Sequence, residues 1–301
     1  MKLVRIALDW TPNINHIGFI VAKEKKFYEE VKLHVQFLTP DIDNYISTPA
    51  KKVENSESDF GLCPTESLIS YQTKKKPFIL KGLMSIYQDD ISAIATIKSK
   101  SISRPRHLDG KSYASYKARY EDEIVRRMII NDGGKGEIDL HYPERLGIWN
   151  TLIDKKYIST WIFINWEGVE ANQKKIKLQL FKMKDFGIPY SYSPVLFSSE
   201  DYINKNPDTI KKFIECSKRG FLFCYDNIKE STEILKKYLQ NSDRKIDLVN
   251  AMKISKEFYG SRKNFGRINL NEVQFFLDWL EKSNIEKINL KPEDLISKYA
   301  Y

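Results

Sequence analysis

The chain has 301 residues, 42% of them hydrophobic and 30% charged, with a formal net charge of +9. That length suits two lobes better than one core, and the composition excludes a disordered, collagen-like or disulfide-dense chain. No run of eighteen apolar residues occurs, so no membrane-spanning helix is expected.

The positive balance raises nucleic acid as a partner. The lysines are scattered in pairs, however, such as Lys155-Lys156 and Lys236-Lys237, at element ends and on helix faces. No nucleic-acid module is visible, so the charge reads as a solvated surface and no nucleic-acid partner is expected. Three cysteines, Cys63, Cys216 and Cys224, show no metal-ligand spacing. The last two are eight positions apart on an apparent helix, about 12 Å by its rise, which is beyond disulfide reach. The opening MKLVRIALDW runs from Met1 directly into a strand pattern, without a signal-peptide core or cleavage site. A cytosolic location is the expectation, or a periplasmic or lipoprotein one if an export signal has been trimmed.

In chain order, KLVRIAL predicts a strand, HIGFIVAKEKKFYEE a helix and VKLHVQFL a second strand. A helical stretch over 45–53 precedes the short apolar strand SDFGLC, and PTESLISYQTK opens a helix with Pro64 and Thr65. SAIATIK predicts a strand with no helix before it. A second series follows: SYASY strand, ARYEDEIVRRMII helix, GEIDLHY strand, ERLGIWNTLI helix, STWIFI strand and EGVEANQKK helix. IPYSYSPVLFSS reads as extended, and from Asn206 to about Lys282 the pattern is almost wholly helical. Repeated strand–helix–strand units predict an α/β fold with mostly parallel sheets. Two such series predict two lobes, one of residues 1–91 with 196–301 and the other of residues 92–195. In such sheets ligands lie beyond the carboxyl ends of the strands, and the expectation is a ligand cleft between the lobes.

The residues expected at those strand ends are Asp9, Trp10, Asn13, Asn15 and His16 after the first strand, and Cys63 to Ser67, including Glu66, after the third. The second lobe offers Ser115 to Tyr120 and Asn165 to Gly168, and the connection back carries Tyr190 to Ser193. Trp10 either packs its turn or stacks a flat heteroaromatic ring, with Tyr116 or Tyr190 on the opposite face. Glu167 either complements a helix start or accepts from an amino group and a ring N–H. SYKARYED, with Lys117 and Arg119, either meets a phosphate or is a surface run whose cations pair with Glu121, Asp122 and Glu123. His16 is either catalytic or a structural helix-start residue. Cys63 reads as a small buried residue, and Ser67 lies in no GxSxG elbow.

The stretch LDWTPNINHIGFIVAKEKKFYEE resembles the opening of the thiamine-pyrimidine-synthase-like and sulfonate-binding-protein-like family. SDFGLCPTESLISY, LDGKSYASYKARYEDEIVRRM, WIFINWEGVEA and SPVLFSSEDYINKNPDTIKKFI continue the likeness in order, over residues 3–225. It implies the two-lobed type II periplasmic-binding-protein fold with a helical C-terminal region. One branch of the family binds a formylaminopyrimidine and delivers it to a transporter, stacking the ring on aromatic residues and holding it with acidic ones. Trp10, Tyr190 and Glu167 match those places, with Asn13 and His16 in the cleft turn.

The fungal synthase branch uses a pyridoxal-binding lysine and, four residues on, a sacrificial histidine; Cys63 and Ser67 stand there in this chain. Its cysteine-rich run corresponds to PYSYSP, which has no cysteine, and its glycine-containing phosphate loop to SYKARYED. The self-consuming mechanism is therefore not expected. The resemblance implies binding of a thiamine-related pyrimidine or its phosphate. The ligand residues would be Trp10, Asn13, His16, Glu66, Tyr116, Arg119, Glu167 and Tyr190. No cofactor or metal is expected, and an ABC permease is the partner if the chain is exported. The alternatives are a pyrimidine-synthase-like enzyme, an enzyme acting on such a pyrimidine or on a pyridoxal-like compound with His16, Glu167 and Cys63 as acid–base and nucleophile, or a binder of another flat ring such as a flavin, or of an alkylsulfonate.

Overall fold

The structure, a computed structural model, describes residues 1–145 and 148–301. It divides into two compact units. One comprises Met1–Asp90, Ser191–Gln274 and Asn289–Tyr301, and the other Ile91–Tyr190 and Phe275–Ile288.

In the first unit β1 (Lys2–Ala7) leads through a 3-10 turn (Ile14–His16) into α1 (Ile17–Glu24) and α2 (Phe27–Glu30). β2 (Leu33–Leu38), α3 (Pro49–Glu54), β3 (Phe60–Cys63), α4 (Thr65–Thr73) and β4 (Leu80–Ser85) follow. The second unit holds β5 (Ser92–Ile97), β6 (Ser112–Ala114), α5 (Glu121–Asn131), β7 (Asp139–His141), α6 (Ile148–Ile153), β8 (Ser159–Phe163), α7 (Glu167–Gln173) and β9 (Leu178–Phe181). The chain then returns to the first unit with β10 (Val195–Ser199), α8 (Glu200–Lys205), α9 (Pro207–Asp226), α10 (Ile228–Lys236) and α11 (Leu248–Phe258). The division falls inside α12 (Leu270–Lys282), and α13 (Pro292–Leu295) closes the first unit. Among the described residues no helix is long and apolar enough to cross a membrane.

The first sheet has the order β2-β1-β3-β10-β4 and the second β7-β6-β8-β5-β9. β1 runs parallel to both its neighbours, and so does β6. β10 and β5 run antiparallel to both of theirs. The sheets are thus mixed rather than mostly parallel. The exceptions have a physical reason: β5 and β10 each follow a passage of the chain from one unit to the other. No helical crossover within the sheet therefore sets their direction. β3 is buried at all four positions and β5 at five of six, the pattern of strands covered on both faces.

Three segments differ from the sequence pattern. Residues 45–53 are not one helix: Pro40–Asp43 forms a 3-10 turn, Asn44 and Tyr45 take left-handed φ of 52° and 62°, and α3 starts only at Pro49. Proline at the first helical position suits that later start. The C-terminal helical region is broken into separate helices by 237–247 and 259–269. The helix expected over 144–153 is seen from Ile148; Leu146 and Gly147 lie outside the described residues.

The first unit is cored by aromatic rings. Phe60 stacks on Phe213 at 4.2 Å and Tyr28 on the same ring at 5.3 Å, while Phe19 meets Phe221 edge-on at 5.1 Å. α1 can reach α9 this closely because glycine stands on both: a Cβ on Gly220 would lie 2.1 Å from the Gly18 carbonyl oxygen. In the second unit Trp149, Leu152, Ile162 and Ala171 pack with Ala95.

Candidate functional site

Each unit gathers polar and aromatic groups at the carboxyl ends of its strands. In the first unit the apolar run of β1 stops at Leu8, and the next eight residues end in the 3-10 turn that starts α1. Asn13 caps that turn, its side chain accepting from Asn15 N–H at 2.9 Å, while its own N–H donates to His16 Nδ1 at 3.1 Å. Because Nδ1 accepts, neutral His16 carries its proton on Nε2, which donates to Asp9 Oδ1 at 2.7 Å. Both ring nitrogens are thus used within the turn, and His16 has no exposed surface. The Asp9 side chain keeps 23% of its own. Asn13 and Asn15 are also buried, Asn15 accepting from the Tyr87 hydroxyl at 2.7 Å. The rim expected of Asn13 and His16 is therefore a buried frame, and the group it holds toward the surface is Asp9.

Trp10 is half-buried and lies 5.4 Å from Tyr45, with the rings tilted by 59°. Tyr45 enters the site because the left-handed backbone at Asn44 and Tyr45 turns the segment after β2 back toward the end of β1. Glu66, in the first turn of α4, is buried beside the end of β3. Cys63 precedes it. Burial, with the charges of Asp9 and Glu66 adding, pushes the Cys63 thiol well above its ordinary range. A thiol in that setting is a poor nucleophile. Cys224 is pushed up to about 12 by burial as well, and Cys216 is raised for the same first reason. Native protein treated with a thiol reagent at neutral pH should therefore react slowly at all three buried cysteines, and fully once denatured. A fast, stoichiometric reaction mapped to Cys63 would contradict that placement.

In the second unit Glu167 opens α7, and its Oε2 accepts from Phe163 N–H at the end of β8 at 2.9 Å. Tyr116, half-buried in the loop after β6, has its phenol raised well above the ordinary value by enclosure first, then by the charges of Glu167 and Glu121. Tyr116 follows β6 and Glu167 follows β8, and because these two strands run parallel both residues lie at the same end of the sheet. Tyr190 meets Trp161 of β8 edge-on at 5.2 Å and Phe276 at 5.7 Å. Arg119 bonds Glu286 Oε2 at 2.6 Å, with the Tyr120 hydroxyl on the same oxygen at 3.1 Å. It is not paired with the acids that follow it in sequence.

Sequence reasoning missed Tyr45, Tyr87, Trp161 and the burial of Glu121. For Glu121 a signal existed, a glutamate on the first turn of a helix after a polar loop, the position from which a carboxylate reaches back to backbone donors. Among the described residues no group of acids, histidines and cysteines is placed to hold a metal ion.

The NMT1/THI5-like family model matches residues 13–231. The formylaminopyrimidine-binding protein of Halalkalibacterium halodurans is 22% identical over 252 residues, covering 81% of this chain and 72% of that one. Among solved structures, the ligand-binding component of an ABC-type import system from Staphylococcus aureus superposes with a TM-score of 0.70 at 14% identity, covering 100% of this chain and 98% of that one. The periplasmic aliphatic sulphonate-binding protein SsuA from Escherichia coli superposes with a TM-score of 0.69 at 12% identity, covering 99% and 92%. The fold is the two-lobed α/β fold of the periplasmic binding proteins, and the chain belongs to the NMT1/THI5-like family.

Proposed function

We propose that the protein binds one aminopyrimidine of the thiamine-precursor type per chain and serves its salvage or synthesis. The observation that carries the reading is that each unit sets a half-buried aromatic ring beside a carboxylate at its strand ends. These are Trp10 with Asp9 in the first, and Tyr116 with Glu167 in the second. A flat ring bearing amino groups needs both kinds of contact, a face to stack on and charged acceptors for its N–H groups. The relative named for formylaminopyrimidine binding supports the same ligand class. Trp10 and Tyr190 would stack the ring and Glu167 would hold its amino edge, while Asn13 and His16 keep Asp9 in place. Glu66 and Tyr116 would complete the polar lining. An enzymatic role has less support, since Cys63 is held as a buried thiol and His16 has both nitrogens engaged. The neighbours described as periplasmic or as part of an ABC-type importer favour an exported solute-binding role with a permease partner over a cytosolic one.

Titration calorimetry of the purified chain with aminopyrimidines, pyridoxal phosphate, riboflavin and an alkanesulfonate tests the reading. The expected result is one site, filled by an aminopyrimidine, with no product formed. Silence toward every aminopyrimidine at millimolar concentration would end it.

A further inference from the structure

The loop between β6 and α5 is where the sequence pattern suggested a phosphate, and three successive backbone donors of it are already occupied. The N–H of Tyr116 donates to Glu121 Oε1 at 3.1 Å and that of Ala118 to Glu121 Oε2 at 3.1 Å. The Tyr113 hydroxyl adds a third bond to Oε1 at 2.8 Å. The intervening N–H of Lys117 goes to Ser115 Oγ at 3.0 Å. Glu121 is 2% exposed, so this is a carboxylate folded into the loop and not a surface acid. The two cations of the segment point elsewhere. Arg119 is held by Glu286, and Lys117 Nζ lies 5.4 Å from the centre of the Tyr142 ring. Asp122 adds further negative charge, accepting from Ser115 Oγ at 2.6 Å and from the Tyr142 hydroxyl at 2.8 Å.

Convergent backbone N–H groups at a helix start form a cradle for an anion. Here the cradle is filled by the chain's own carboxylate. A phosphate arriving at this strand end would find the N–H groups of Tyr116, Lys117 and Ala118 already taken and would face Glu121, Asp122 and Glu167 as like charges. We infer that Glu121 is a specificity residue, a built-in anion that excludes phosphorylated and sulfonated ligands. The compound bound is then an unesterified, donor-rich ring. The inference rests on the aminopyrimidine reading and narrows it.

Calorimetry with hydroxymethyl-aminopyrimidine and with its phosphate ester decides the point. Wild-type protein should bind the parent compound at least about tenfold more tightly than the ester, since unpaired like charges oppose the ester. Glu121→Gln keeps the size and one acceptor oxygen but removes the charge, and it should shrink that ratio by several fold. Equal or tighter binding of the ester by wild type overturns the inference, and so does an unchanged ratio in Glu121→Gln. If neither compound binds wild type, the aminopyrimidine reading falls on its own. Inorganic phosphate then decides the loop. A thermal shift gained by Glu121→Gln and absent from wild type upholds the filled cradle, and no difference between them refutes it.

Discussion

Gly220→Ala should unfold the first unit at a markedly lower temperature than wild type. The added methyl would sit 2.1 Å from the Gly18 carbonyl oxygen and 2.8 Å from the Ala22 Cβ. The first of these is backbone in the first turn of α1 and cannot rotate away, so the helices must separate. Overpacking of this kind costs about 1–3 kcal/mol and more where backbone must move. We expect a loss of about 3 kcal/mol. At roughly 2–4 °C per kcal/mol for a domain of 150–250 residues, that is a fall of about 6–12 °C in a calorimetric scan. Because α1 begins directly after the turn holding Asp9, Asn13 and His16, ligand affinity should fall as well. Gly168→Ala is the control: its Cβ would have nothing nearer than 3.6 Å, inside a helix where alanine is favoured over glycine by about 1 kcal/mol. Equal melting of Gly220→Ala and wild type would show that the two helices have room to spare.

Trp10→Ala and Glu167→Gln should each weaken the ligand strongly while leaving the fold intact, since both side chains are only half-buried. Removing a buried aromatic anchor from a binding site costs about 2 kcal/mol or more, close to thirtyfold in affinity. Neutralising a carboxylate that accepts from a ligand costs about 1.5–3 kcal/mol, roughly ten- to a hundredfold. Trp10 lies in the first unit and Glu167 in the second. Loss of the same ligand from both variants would support the assignment of both residues to it. His34→Ala is the comparison that should change nothing, because that side chain is exposed near the amino end of β2, paired with Leu3 and not with the end of β1 that precedes Trp10. Wild-type affinity in both Trp10→Ala and Glu167→Gln would remove the proposed site.

Most strands were legible because apolar runs of four to six residues are bounded by turn residues. LHVQFL, FGLC and SAIATI are found where the pattern puts them. β4 and β9 were not, since LKGLMS carries a lysine and a glycine and LQLF sits among lysines, so neither gives a clean period. The candidate site was legible in part. Trp10 and Glu167 stand out by residue type beside a strand end. The aromatic neighbour of Trp10 did not, because Tyr45 comes from a segment that periodicity assigns to a helix and only two left-handed residues divert. The inward role of His16 depends on which ring nitrogen meets which partner, and that geometry leaves no trace in spacing.

The placement of β10 between β3 and β4 has a consequence for synthesis on the ribosome. When residue 90 emerges, the first sheet still lacks its fourth member in spatial order, and β3 and β4 each present an open edge. That gap is closed only after a further hundred residues have been made, by a strand that had not yet been translated. A nascent fragment of the first ninety residues therefore carries two sticky borders of the kind that recruit other chains. Chain growth from residue 91 to 199 is the interval in which such a protein most needs chaperone cover.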